Sequence, residues 1–182
     1  MMTHSKVRVW LVACLSISLA ACGITAPRGN AGYANLDSPG MFDTDRTTSL
    51  SIGPTLLRFA SAHIDDDPET KALLKSLDGV RIKIYEVNGD GDRVARDLVR
   101  MGQKLQGDHW APVMLVNEGG ERTQMFAKSS SRGIQGLIIV SADESEVVMI
   151  NVMGDIKPTH FKDVMMALNV DQAPDVQLAA VD

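Results

Sequence analysis

The sequence predicts an α+β domain with a single antiparallel sheet of about five strands and helices packed mainly on one face. Three observations predict it. Val80 to Val87 (VRIKIYEV) alternates apolar and polar residues, as a half-buried strand does. Val94, Leu98, Met101 and Leu105 recur at intervals of four, three and four, the spacing of one helical face. Four more strand-like runs then follow in quick succession, joined by short polar connections. The chain has 182 residues, a one-domain length, and shows no internal repeat.

The domain begins near Ser49. Pro54 suits the first turn of a helix on which Leu56, Phe59, Ala60 and His63 are spaced for one face. A second helix opens at Asp65-Asp66-Asp67-Pro68-Glu69, where acids lie near the positive helix end; Leu73, Leu74 and Leu77 point inward and Gly79 is the stop. The strand 80–87 comes next. After Asn88-Gly89-Asp90-Gly91-Asp92, residues 93–106 form the amphipathic helix, with Arg93, Arg96, Asp97, Arg100 and Lys104 on its polar side. The four strands are Trp110 to Val116, Arg122 to Lys128, Ile134 to Ser141 and Val147 to Met153. Their polar connections, Asn117 to Glu121 and Ala142 to Glu146, indicate antiparallel hairpins. The last two strands are apolar on both faces, which predicts central positions under helices. A final helix, Pro158 to Leu168, directs Phe161, Val164, Met165 and Leu168 inward.

The first 21 residues read as a signal for export. Lys6 and Arg8 form a positive n-region, and Val9 to Ala21 is an apolar stretch too short to span a bilayer as a helix. Leu19-Ala20-Ala21-Cys22 resembles the lipobox of bacterial lipoproteins, which implies that Cys22 is lipidated and becomes the first mature residue. A second match, Leu11-Val12-Ala13-Cys14, has only Val9 and Trp10 as hydrophobic lead-in. An uncleaved membrane-anchor helix, or a secreted chain with one free thiol, fits less well, because turn-forming residues begin at Thr25-Ala26-Pro27 and an exported free thiol is a liability. Two or more acyl chains anchor a protein stably, as each buried methylene contributes about 0.8 kcal/mol. Gly23 occupies the place where, in enterobacterial lipoproteins, an Asp retains the protein at the inner membrane; its absence favours the outer membrane.

Residues 22–48, rich in Gly, Ala, Asn, Asp and Thr, read as a flexible tether able to span about 30 Å. Residues 49–169 form the domain, and 170–182 a loose tail. The net charge of −5 becomes −7 once Lys6 and Arg8 leave with the signal, which argues against a nucleic-acid partner.

The strand pattern also carries a resemblance. Gln124 to Lys128, Ile134-Gln135-Gly136-Leu137 and Val147 to Ile156, containing Asn151-Val152-Met153-Gly154-Asp155-Ile156, are similar to the C-terminal half of the bacterial domain-of-unknown-function 4252 family. Those proteins share the layout of a lipoprotein-like signal and one domain. The resemblance spans roughly Ser49 to Asn169 and rests on hydrophobic, structural motifs, so it implies a fold and transfers no catalytic residue.

Candidate chemical groups are few. Asn88, Asp90 and Asp92 place oxygen ligands at alternate positions like the start of an EF-hand loop, but Arg93 stands where that loop needs Gly and Val99 where it needs a bidentate Glu. A turn in which Asp90 or Asp92 caps the following helix explains the stretch better. His63, His109 and His160 lack zinc-site spacing, and Ser129-Ser130-Ser131 lacks the nucleophile-elbow glycines. Met149, Met153, Met165 and Met166 read as core filler. The expectation is a lipid-anchored, periplasm-facing envelope protein, held on the membrane by its N-terminal lipid. Its domain is expected to bind or scaffold an envelope protein partner without catalysis or cofactor. The alternatives are an enzyme drawing on His109, Asp90 and Asp92, and a sensor acting on a membrane partner. The sheet edges or an exposed face could recruit that partner by strand addition.

Overall fold

A computed structural model describes residues 23–36, 42, 47–87, 89–131 and 133–157. The elements are β1 (Thr47–Ile52), α1 (Pro54–Ala62), α2 (Pro68–Ser76), β2 (Leu77–Glu86), α3 (Gly91–Gly107), β3 (Ala111–Glu118), β4 (Glu121–Ser130), β5 (Gly133–Ala142) and β6 (Glu146–Ile156). All strand pairs are antiparallel and form one six-stranded sheet in the order β1-β2-β6-β5-β4-β3. β3 to β6 is a meander of hairpins, and α3 carries the chain from β2 to the far edge where the meander starts. The apolar runs of β5 and β6 occupy the middle of the sheet, as their composition predicts.

Six strands replace the expected five because Thr47–Ile52 pairs with β2. Its sequence, TTSLSI, is polar at most positions and exposed over its first four, so it carries little of the apolar alternation that marks the other strands. The second helix also ends earlier than Gly79. Leu77 already belongs to β2, with a register shift between Leu77 and Gly79. The final helix predicted over 158–168 and the tail lie outside the described residues.

Packing of the helices mainly on one face is not seen among the described residues, where the core divides between the two faces of the sheet. Directly paired strand residues share a face, and neighbours along a strand alternate. Leu98, Met101 and Leu105 of α3 pack with Phe126, Ile138, Val140 and Met149. Leu57 of α1 and Leu73 of α2 pack with Leu137 and Val152, which belong to the opposite set. α3 therefore covers one face, and α1 and α2 the other. Periodicity gives each helix an apolar side but does not say to which face of a doubly apolar sheet it docks.

Within the stretch 22–48 read as a tether, the described residues 23–36 and 42 include buried Ala26, Ala34, Leu36 and Phe42. They form a strap across the α3 face of the sheet. Gly32 crosses over β5 so closely that a Cβ there would lie 1.9 Å from the Gln135 carbonyl oxygen, and a Cβ on Gly136 would meet the Gly32 Cα at 2.7 Å. Small residues, which suggested flexibility, instead permit backbone-to-backbone contact.

Candidate functional site

The strap is held by a buried amide. Asn151 of β6 is fully buried, a polar side chain within the otherwise apolar run Val147 to Met153. Its Oδ1 accepts from the Ala34 N–H at 3.0 Å, while its Nδ2 donates to the carbonyl oxygens of Gly32 at 3.0 Å and Leu137 at 3.2 Å. Such an amide is retained at low cost only because its bonds are satisfied. Around it, the Arg81 guanidinium stands over the Tyr33 ring at 4.8 Å, and the Tyr85 hydroxyl donates to the Leu36 carbonyl at 3.4 Å. Asp97, assigned by periodicity to the solvent side of α3, is buried instead. It accepts from the Phe42 N–H at 3.0 Å and is paired with Arg100. The sequence signal for these contacts is slight: one Asn inside VVMINVM and one Asp, Asp97, set between Arg96 and Arg100 of α3.

The strap begins at α1. The Gly53 N–H, at the helix N-cap, donates to the Ile24 carbonyl at 2.6 Å, and the Ala26 N–H donates to the Ser51 hydroxyl at 3.0 Å. A Cβ on Gly53 would lie 2.4 Å from the carbonyl oxygens of Gly23 and Thr25, so only glycine admits the chain here. Leu57 and Ser61 are the buried residues of α1, and the face that carries Leu56, Phe59, Ala60 and His63 looks to solvent.

The two sheet edges differ as well. β3 contains Pro112 and a register shift between Pro112 and Met114, both of which discourage pairing with another strand. β1 has neither: its register with β2 is continuous from Thr47 to Ile52, and it holds no Pro and no charge. Among the described residues, nothing pairs with its outer edge.

The residues singled out for chemistry are dispersed. Asp90 is the N-cap of α3, its Oδ1 accepting from the Arg93 N–H at 2.9 Å, and Asp92 lies exposed in the first turn. His109 ends the same helix in the left-handed region with φ 65°, and the Trp110 N–H reaches back to the Leu105 carbonyl at 2.9 Å. This closes the helix as glycine commonly does. A helix of 17 residues is about 25 Å long, so His109 does not meet Asp90 or Asp92 in one site. The Phe59 carbonyl accepts from His63 Nδ1 at 2.8 Å. The Asp67 Oδ1 accepts from the N–H groups of Glu69 and Thr70 at 3.1 and 2.9 Å, which makes it a helix cap. Cys22, with Leu19, Ala20 and Ala21, and Asn88, His160, Met165 and Met166 lie outside the described residues; Met149 and Met153 are buried filler.

Shifted titrations also trace to local structure. The Thr70 hydroxyl, then the backbone N–H groups of Thr70 and Glu69, hold Asp67 below its ordinary value. The Ser145 hydroxyl, then the N–H groups of Glu146 and Ser145, do the same for Asp143 in the β5–β6 turn. A polar notch of about 280 Å³ is lined by Asn30, Asp78, Ser130, Gln135 and Asp155, with Asn30 Nδ2 donating to Asp78 Oδ2 at 2.8 Å. Among the described residues, no group of three or more His, Cys, Asp or Glu could hold a metal ion, and no helix is long and apolar enough to cross a membrane.

Residues 40–164 match the family model described as Domain of unknown function (DUF4252). The chain belongs to this family. The DUF4252 match takes in every strand and helix described above, from β1 to β6, together with Asn151 and Asp97. The first part of the strap, residues 23–36, precedes the DUF4252 match yet packs on its sheet. No curated protein shows significant similarity to the chain.

Proposed function

We propose that this DUF4252 protein is a lipid-anchored component of the bacterial cell envelope, with Cys22 as its acylated first residue. Its domain faces the periplasm, on the outer membrane in preference to the inner, and works as a non-enzymatic binding or scaffolding module. The positive n-region, short apolar stretch and Leu19-Ala20-Ala21-Cys22 support the anchor. The single observation that supports a binding role best is the open edge of β1. A regular six-residue strand without Pro, charge or bulge is the kind of edge that accepts an added strand from a partner. The opposite edge, with Pro112 and its register shift, is built to refuse one.

Mass spectrometry of the mature N-terminus tests the anchor: diacylglyceryl-modified Cys22 is expected, and an unmodified chain starting elsewhere overturns it. In-cell photocrosslinking tests the module. A crosslinker at Ser49 of β1 is expected to capture a defined envelope protein, and one at Leu115 of β3 to capture none. Equal labelling from both edges would remove the case for β1.

A further inference from the structure

Resting on the lipid anchor at Cys22, we infer that the outer stripe of α1 lies in the headgroup region of the membrane, so that the domain is seated on the bilayer, not suspended from it. Three observations converge. First, the strap leaves no free spacer. Gly23 sits so close to α1 that a Cβ on it would lie 2.1 Å from the Thr55 hydroxyl oxygen, and Ile24 is bonded to the helix N-cap. Cys22 is one peptide bond from Gly23, so the residue that would carry the lipid has its Cα within about 4 Å of that of docked Gly23. Second, the surface beside this point is apolar. Ile24 is 46% exposed, Leu56 43% and Phe59 66%, three of the six large hydrophobics exposed among the described residues. They stand at the strap's origin and on adjacent turns of one helix. Third, charge is arranged for a tilted approach. The stripe itself carries no acid, whereas Asp65, Asp66 and Asp67 follow α1 at its far end, where solvating three carboxylates keeps that end in water. The helix thus presents its Gly23 end to the lipid and lifts its acidic end away, as an interfacial helix with one apolar side does.

The test places a reporter in the stripe. Trp110 is buried and is the only tryptophan after the signal segment, so Phe59→Trp adds one exposed fluorophore. The lipidated chain is reconstituted into vesicles of phosphatidylethanolamine and phosphatidylglycerol, with and without bromine on the acyl chains. The expected result is a blue-shifted added emission that brominated lipid quenches, whereas Leu115→Trp, on the far edge strand, keeps water-like, unquenched emission. An Ile24→Trp reporter should follow Phe59→Trp. A chain that floats with the vesicles while Trp at position 59 stays water-like and unquenched overturns the seating and leaves the anchor standing. A chain that stays behind when the vesicles float overturns the anchor and the seating together. The same reporter with Cys22→Ser, made without its signal segment, should emit as in water. A blue shift there means that another part of the chain or a second copy covers the stripe, and the seating fails.

Discussion

In α3, the apolar residues Val94, Leu98, Met101 and Leu105 are all buried, whereas in α1 the stripe Leu56, Phe59, Ala60 and His63 faces out and Leu57 and Ser61 face in. Both patterns satisfy the same helical periodicity. The difference lies in what stands on the other side of each helix. The 17 residues of α3 offer one apolar face broad enough to cover the sheet. The nine of α1 carry apolar residues on two sides, and the small Ser61 lets the helix pack closely on Leu57 while its hydroxyl is satisfied by the Arg58 carbonyl at 2.8 Å. Leaving Leu56 and Phe59 partly exposed forgoes a fraction of the about 1.5–3 kcal/mol that full burial of each side chain contributes. That stripe, on a helix already docked by its other side, is the surface that the proposed seating on the bilayer would cover.

The sharpest way to break this contrast is Leu98→Ala in α3, which removes a side chain 1% exposed. The expected loss is about 2–5 kcal/mol, read as a lower urea midpoint with an unchanged slope. A loss below 1 kcal/mol, by the same scale, would mean that the α3 face is not the core.

Next in size is Asn151→Ala, which tests whether the strap belongs to the face that α3 covers. The Ala34 N–H and Gly32 carbonyl lose their partner, with an expected cost of about 1–3 kcal/mol and faster hydrogen exchange at Ala34. Unchanged exchange at Ala34 would show that the strap is held elsewhere.

Acid provides a smaller perturbation that separates the helices by their caps. α2 is capped by Asp67 and α3 by Asp90, whereas α1 has no side-chain cap. The folded pKa of Asp67 lies below its ordinary 3.8, as does that of Asp143. Their contribution is therefore complete above that value and is lost as pH falls through the lower folded values. Asp67→Ala and Asp143→Ala should each lower stability at neutral pH and flatten the acid limb of a thermal-melting profile. A mutant curve parallel to that of the wild type would refute the linkage.

The smallest expected effect is that of Phe59→Ser in α1, within about 0.5 kcal/mol in the vesicle-free protein. A loss comparable to that of Leu98→Ala would place the stripe in a packed interior and erase the contrast.

The legibility of this fold follows the same division. All five strands read from the sequence are present, because continuous apolar or alternating runs between polar turns leave little choice of local structure. Central placement of β5 and β6 was also readable, since both of their faces need cover. β1 was not, because an edge strand needs only one partner and can remain polar. Asp90 was legible as a cap from its place before an amphipathic run, but Asp97 and Asn151 were not legible as strap anchors. Each is bonded to residues 55 or more positions away, with no local pattern to announce the contact.

The sequence by itself determined every described element but β1: where chain direction turns, which helix ends are capped, and which strands must be covered on both sides. These depend on neighbours within a few residues, where backbone geometry and side-chain spacing act directly. Only the tertiary structure decided that α3 and α1 lie on opposite faces, that a glycine-rich stretch is a packed strap, and that an apolar stripe looks outward. Those outcomes depend on surfaces brought together from distant parts of the chain. A one-dimensional pattern records that a side chain is apolar, not which surface it meets.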